Sequence, residues 1–224
     1  MLISLFRNGF DLGNLIIYVF SMAFVVFCTL PVHEYAHALV ATKLGDQTPR
    51  LQGRLTLNPM AHISLLGALM ILLVGFGYAK PVGVNPRNFK DPKKGMALVA
   101  VAGPVSNMLM GFIAEFFAIL CLKFSVNAGE SFLLWAVYMF FNYAAIVNIQ
   151  LAVFNFLPIP PLDGSRILQL LIPSKYYYKF LQYERYIILV VFALLFMGVL
   201  TVPLSYITNF IYNIFKRLFY LILF

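Results

Sequence analysis

A chain of 224 residues in which 62% are hydrophobic and only 11% charged cannot cover a water-soluble surface, since soluble domains are roughly 45–50% apolar. Its mean hydropathy of +0.89 places it in a membrane, and the formal charge of +8 then reads as loop topology rather than as a nucleic-acid surface. Its two cysteines, Cys28 and Cys121, lie in separate apolar runs and suggest neither a disulfide framework nor a thiolate cluster. Residues 1–11, with Arg7 and Asp11, are expected at an interface. From Leu12 to Lys43 the chain is nearly uninterrupted apolar sequence, long enough for one tilted crossing and far longer than the roughly 7–15 residues of a signal-peptide core. Pro31 is expected to kink this helix one turn before His33. Residues 44–60 are polar and basic, and within them Leu51, Gly53, Leu55 and Leu57 alternate with polar residues, a strand-like pattern. A second apolar run, Ala61–Ala79, precedes a basic loop, Lys80–Lys94. Three further apolar runs follow at Ala97–Leu122, Phe132–Leu157 and Ile187–Phe215. These elements predict an all-α polytopic membrane protein with about four or five transmembrane helices. Short β-strands are expected at Leu51–Leu57 and Val82–Val84, and one C-terminal transmembrane helix over 184–215.

The first apolar run carries His33-Glu34-Tyr35-Ala36-His37. Four helical residues advance the azimuth by roughly 400°, so the two histidines share a face and can reach one ion, with Glu34 beside it. A third ligand must come from elsewhere. A buried acidic residue in a membrane protein is a functional candidate by default, and Glu115 and Asp163 are the others in or near apolar runs. Asp163 follows Pro158-Ile159-Pro160-Pro161-Leu162. These prolines end a helix and force extended backbone, which is tolerated at membrane depth only where it lines a buried or wet cavity.

These residues together resemble the site-2 protease family of intramembrane zinc metalloproteases. The resemblance rests on His33-Glu34-Tyr35-Ala36-His37, on Ala102-Gly103-Pro104-Val105-Ser106-Asn107, and on Asn155-Phe156-Leu157-Pro158-Ile159-Pro160-Pro161-Leu162-Asp163-Gly164. It extends over about residues 28–170, and Asn58-Pro59-Met60-Ala61-His62 and Ala79-Lys80-Pro81-Val82 point to the small bacterial branch, which lacks a PDZ domain. Ile63-Ser64-Leu65 follows His62 where many relatives carry an acidic residue and a proline. The resemblance implies one Zn2+ per chain held by His33, His37 and Asp163, with Glu34 activating water and Asn155 holding the substrate. It also implies a single membrane-embedded peptidase domain over 1–224, its catalytic core at about 12–170, acting on transmembrane protein substrates in the lipid bilayer and not on nucleic acid.

Topology bears on this independently. If residues 61–79 crossed fully, three crossings would separate the end of the first helix from Asp163, on opposite faces of the membrane. A re-entrant 61–79 leaves two crossings and puts both basic loops on one side, cytoplasmic by the positive-inside rule. His37 would then lie about 9 Å from that end of its helix, within reach of water. The chain is accordingly expected to be a multi-pass protein of the cell membrane with its site near the cytoplasmic side. Two other readings use the same residues: a metal or ion transporter built on the His/Asp cluster, and an inactive relative that binds transmembrane helices. Glu34 beside paired histidines speaks against both. His62 is read as a structural hydrogen-bonding residue, Cys28 as packing, and Gly103, Ser106 and Asn107 as residues that let helices approach.

Overall fold

The computed structural model describes residues 12–74, 79–128 and 131–224; the interfacial segment expected over 1–11 lies outside them. Among the described residues, three helices are long and apolar enough to cross a membrane: Leu12–Lys43, Pro92–Ser125 and Phe132–Asn155. The first is continuous but not uniform. It comprises α1 (Leu12–Phe24), a π-helical turn over Val25–Thr29, and α2 (Leu30–Lys43). Pro31 has no N–H for the preceding turn, and the wider turn absorbs the loss: the Leu30 N–H reaches the Val25 carbonyl, which also accepts from the Thr29 hydroxyl at 2.9 Å. The kink expected at Pro31 is thus a π-turn ending just before it.

After α2 come the short α3 (Thr48–Leu51) and α4 (Pro59–His62), then α5 (Leu65–Val74). The 37-residue α6 (Pro92–Ala128) and the 24-residue α7 (Phe132–Asn155) follow. The chain ends with α8 (Gly164–Leu171), α9 (Ser174–Leu181), α10 (Glu184–Phe196) and α11 (Thr201–Leu223). The most extensive packing joins α6 to α7, followed by α2 against α6. Small buried residues, Ala38 and Ala41 on α2 and Ala97 and Ala100 on α6, suit close approach between helices where burial from water supplies no driving force. A core of Tyr18, Met22 and Val25 packs on Ala144, Val147 and Leu151 of α7 and Ile71 of α5.

The run 61–79 differs from the other apolar runs. Helix α5 is described from Leu65 to Val74. The Lys80 N–H donates to the His62 carbonyl at 2.7 Å, so the two ends of this segment meet.

Two sequence expectations give way. No strand occurs among the described residues. Pro49 opens helix α3, and Gln52, Gly53 and Arg54 donate back to the carbonyls of Thr48, Arg50 and Pro49, with Gly53 at φ +67. These local bonds curl Leu51–Leu57, whose alternation suggested a strand, and Val82–Val84 has no ladder partner among the described residues. The single helix expected over 184–215 is instead α10 and α11. Gly198 at φ +81 breaks the helix between them, and Pro203 sits harmlessly in the first turn of α11.

The polar end of α2 is tied down by Asp46, which is 0% exposed. Its carboxylate accepts from the Thr48 N–H (3.1 Å) and hydroxyl (2.6 Å), the Asn85 N–H (2.7 Å) and the Asn88 amide (2.6 Å). Burial pushes the carboxyl up, but these donors outweigh it and hold it below its ordinary value. A depressed native pKa gives stability that is present above the unfolded value of about 3.9 and is lost as pH falls through the native one. Thermal unfolding in detergent is therefore expected to show a stability loss below about pH 4 that Asp46→Asn removes, at a cost of about 1–3 kcal/mol at neutral pH.

Candidate metal centre

Helix α2 presents His33 and His37 one turn apart, both buried, their rings 4.7 Å between centroids. Their Nε2 atoms are 3.1 Å apart. Each lies 3.3 Å from Oδ2 of Asp163. The three atoms form a nearly equilateral triangle, and a tetrahedral zinc with ligands at about 2.0–2.1 Å would separate them by about 3.3–3.4 Å. The donor set of two imidazoles and one carboxylate is that of a catalytic zinc site with one position left open. Among the described residues no other such group of His, Cys, Asp or Glu is found.

The surroundings orient these ligands. Nδ1 of His37 donates to the Val99 carbonyl of α6 at 2.7 Å, which leaves Nε2 as the lone-pair nitrogen facing the triangle. Gly103, one turn further along α6, sits directly against the imidazoles: a Cβ there would lie 2.3 Å from His37 Nε2 and 2.6 Å from His33 Cε1. The adjoining Pro104 lies within the helix and offers no N–H to the preceding turn. Small size at 103 and the second lone pair of the Val99 carbonyl together let α6 close over the histidines.

Asp163 arrives from the other side. The chain turns after α7 through Leu157 N–H to Phe154 carbonyl, Ile159 N–H to Leu157 carbonyl and Leu162 N–H to Ile159 carbonyl bonds. Gly164 then packs so tightly that a Cβ would lie 2.3 Å from the Phe156 carbonyl oxygen and 2.4 Å from that of Leu157. The Asp163 side chain makes no capping hydrogen bond to α8, so the carboxylate that a helix N-cap would have claimed is turned to the histidines.

His33, Glu34, Asn155 and Asp163 line one cavity of about 520 Å³. Its walls are otherwise mostly apolar, formed by Leu66 and Met70 of α5, Ala79 and Pro81, and Ile188, Val191 and Phe192 of α10. Glu34 is 7% exposed and stands outside the ligand triangle. Asn155 occupies the last turn of α7 at the cavity edge. His62 is elsewhere: its Nε2 donates to the Thr56 carbonyl at 2.8 Å, in keeping with a structural role. Asn107, which the sequence suggested for helix packing, also lines the cavity. Its signal was legible in hindsight, as a polar residue four positions after Gly103 on the same helix face.

Comparison with known proteins bears on this arrangement. The profile described as Peptidase family M50 matches residues 124–198, a stretch that includes Asn155 and Asp163. YwhC of Bacillus subtilis (strain 168), a provisionally named zinc metalloprotease, is 41% identical over 165 residues, which cover 74% of this chain and 75% of YwhC. The chain belongs to peptidase family M50, the site-2 proteases. More distant similarity links this M50 chain to the zinc metalloprotease MJ0392 of Methanocaldococcus jannaschii, 25% identical over 170 residues covering 76% of this chain and 40% of that one. Rip2 of Mycolicibacterium smegmatis is 28% identical over 146 residues, 63% of this chain and 53% of its own length. No solved structure matches the M50 chain.

Proposed function

We propose that the chain is an intramembrane zinc metalloprotease that hydrolyses peptide bonds in or near transmembrane segments of other membrane proteins. The observation that carries this is the triangle of His33 Nε2, His37 Nε2 and Asp163 Oδ2 at 3.1–3.3 Å, its two histidines on a helix apolar enough to cross a membrane. These three residues hold one zinc per chain. A bound zinc supplies Lewis-acid polarisation of a peptide carbonyl and water of lowered pKa. Glu34, in the same cavity but outside the ligand set, takes a proton at its carboxylate and returns it to the leaving amine. Asn155 on the cavity wall donates from its amide to the substrate backbone. The apolar walls from α5 and α10 keep bulk water from the reacting groups. A substrate helix has its amides internally bonded, so it unwinds locally before a carbonyl can enter.

The peptidase is a multi-pass protein of the cell membrane, a single embedded domain with its core over about residues 12–170. Residues 61–79 are re-entrant in this reading, supported by the Lys80–His62 backbone bond. Both basic loops then face the cytoplasm together with the site. The test is cleavage of a single-span substrate by the purified chain in liposomes, compared with the chain altered at Glu34. Metal flux without cleavage would favour a transporter instead.

A further inference from the structure

One turn along α6 from Gly103, which abuts the histidines, the same helix face carries Asn107. Its side chain is 1% exposed, it lines the cavity shared by His33, Glu34 and Asp163, and neither its amide nitrogen nor its oxygen has a hydrogen-bond partner. The neighbouring Ser106 is satisfied through the Gly103 carbonyl at 2.7 Å. Elsewhere in the bundle, Asn148 donates to the Ala144 carbonyl and Asn142 to the Tyr212 hydroxyl. Asn148 keeps an unpaired Oδ1, but of these three buried asparagines only Asn107 has both side-chain polar atoms unpaired. An unpaired amide in apolar surroundings is costly, and leucine of similar volume would pack there better.

We propose that Asn107 is a second substrate-binding residue, which pairs its carboxamide with the backbone of the unwound substrate segment. Each unwound residue exposes one N–H and one carbonyl, and the side-chain amide offers the acceptor and donor that match them. Away from water such a pair has no competing partner. The other candidate partner is Nδ1 of His33, also unpaired; it can use the Asn107 oxygen but leaves both amide hydrogens unmatched. With His33, His37, Asp163 and Glu34 committed to metal and proton transfer, Asn107 and Asn155 are the remaining polar side chains on the cavity wall among the described residues.

This inference rests on the proteolytic reading, and its test separates the two. In a Glu34→Gln background, a fluorescent single-span peptide of leucine and alanine with a central glycine–proline break is titrated in detergent micelles. Asn107→Leu is expected to weaken binding about tenfold, the loss of one buried hydrogen-bonding group, with zinc content unchanged and thermal stability equal or higher. Asn107→Ala, which adds no volume, is the second variant and should weaken it likewise. Unchanged peptide affinity in both overturns the proposal. Loss of zinc in step with affinity overturns it too, since it would assign Asn107 to positioning His33. In a parallel arm, a chain with Glu34 intact that binds zinc yet leaves the peptide uncut refutes proteolysis, while the binding comparison still decides Asn107.

Discussion

Glu34→Gln is expected to lower cleavage of a transmembrane substrate by about 10²–10⁴-fold, the range for removing a positioned general base, while zinc content and thermal stability stay at the level of the unaltered chain. The separation follows from geometry. Glu34 lines the cavity but lies outside the group formed by His33, His37 and Asp163. Glutamine keeps the shape of the side chain and one acceptor oxygen, and replaces the other oxygen with an amide nitrogen that takes up no proton. Zinc measured by elemental analysis and cleavage measured on the same preparation give the two readouts. Parallel loss of both would move Glu34 into the ligand set, and retained cleavage would remove it from the chemistry.

Gly103→Ala is expected to be nearly as damaging by a different route. The added Cβ would stand 2.3 Å from His37 Nε2, so either α6 withdraws from α2 or the imidazole turns. Withdrawal stretches the bond from His37 Nδ1 to the Val99 carbonyl, now 2.7 Å, and turning takes Nε2 off the triangle. Disturbing the groups around a metal ligand typically costs 10–100-fold in affinity, so about that loss of zinc affinity is expected, with an overpacking cost of about 1–3 kcal/mol. Gly111→Ala on the same helix is the control. There the new Cβ meets chiefly the Ile149 side chain at 2.9 Å and the Ala145 carbonyl at 3.3 Å, so stability falls modestly and zinc affinity does not. Equal zinc loss in both variants would attribute the effect to helix packing.

The half of the site on α2 was legible because helical period alone puts His33 and His37 on one face. Asp163 was legible through its context, since the prolines before it could not continue a helix and marked irregular backbone near the membrane interior. What local pattern does not encode is which faces meet. Asn107 is four residues from Gly103, yet only the packing of α6 on α2 shows that this face closes on the histidines. The break between α10 and α11 was hidden because hydropathy is continuous across it, and one glycine at positive φ makes the turn. At Leu51–Leu57 alternation pointed to a strand, but Pro49 and the back-donated bonds of residues 52–54 decide the backbone locally. The segment 61–79 was a matter of topology, resting on charge and crossing parity, and no local pattern foretold that the Lys80 N–H reaches the His62 carbonyl.

X-ray absorption at the zinc edge on the purified chain reaches the central claim most directly. The expected spectrum shows one zinc per chain with only nitrogen and oxygen neighbours at about 2.0–2.2 Å, two imidazoles among them, and one imidazole fewer in His33→Ala. A chain that binds no zinc, or a zinc with sulfur at about 2.3 Å drawn from Cys28 or Cys121, would contradict it.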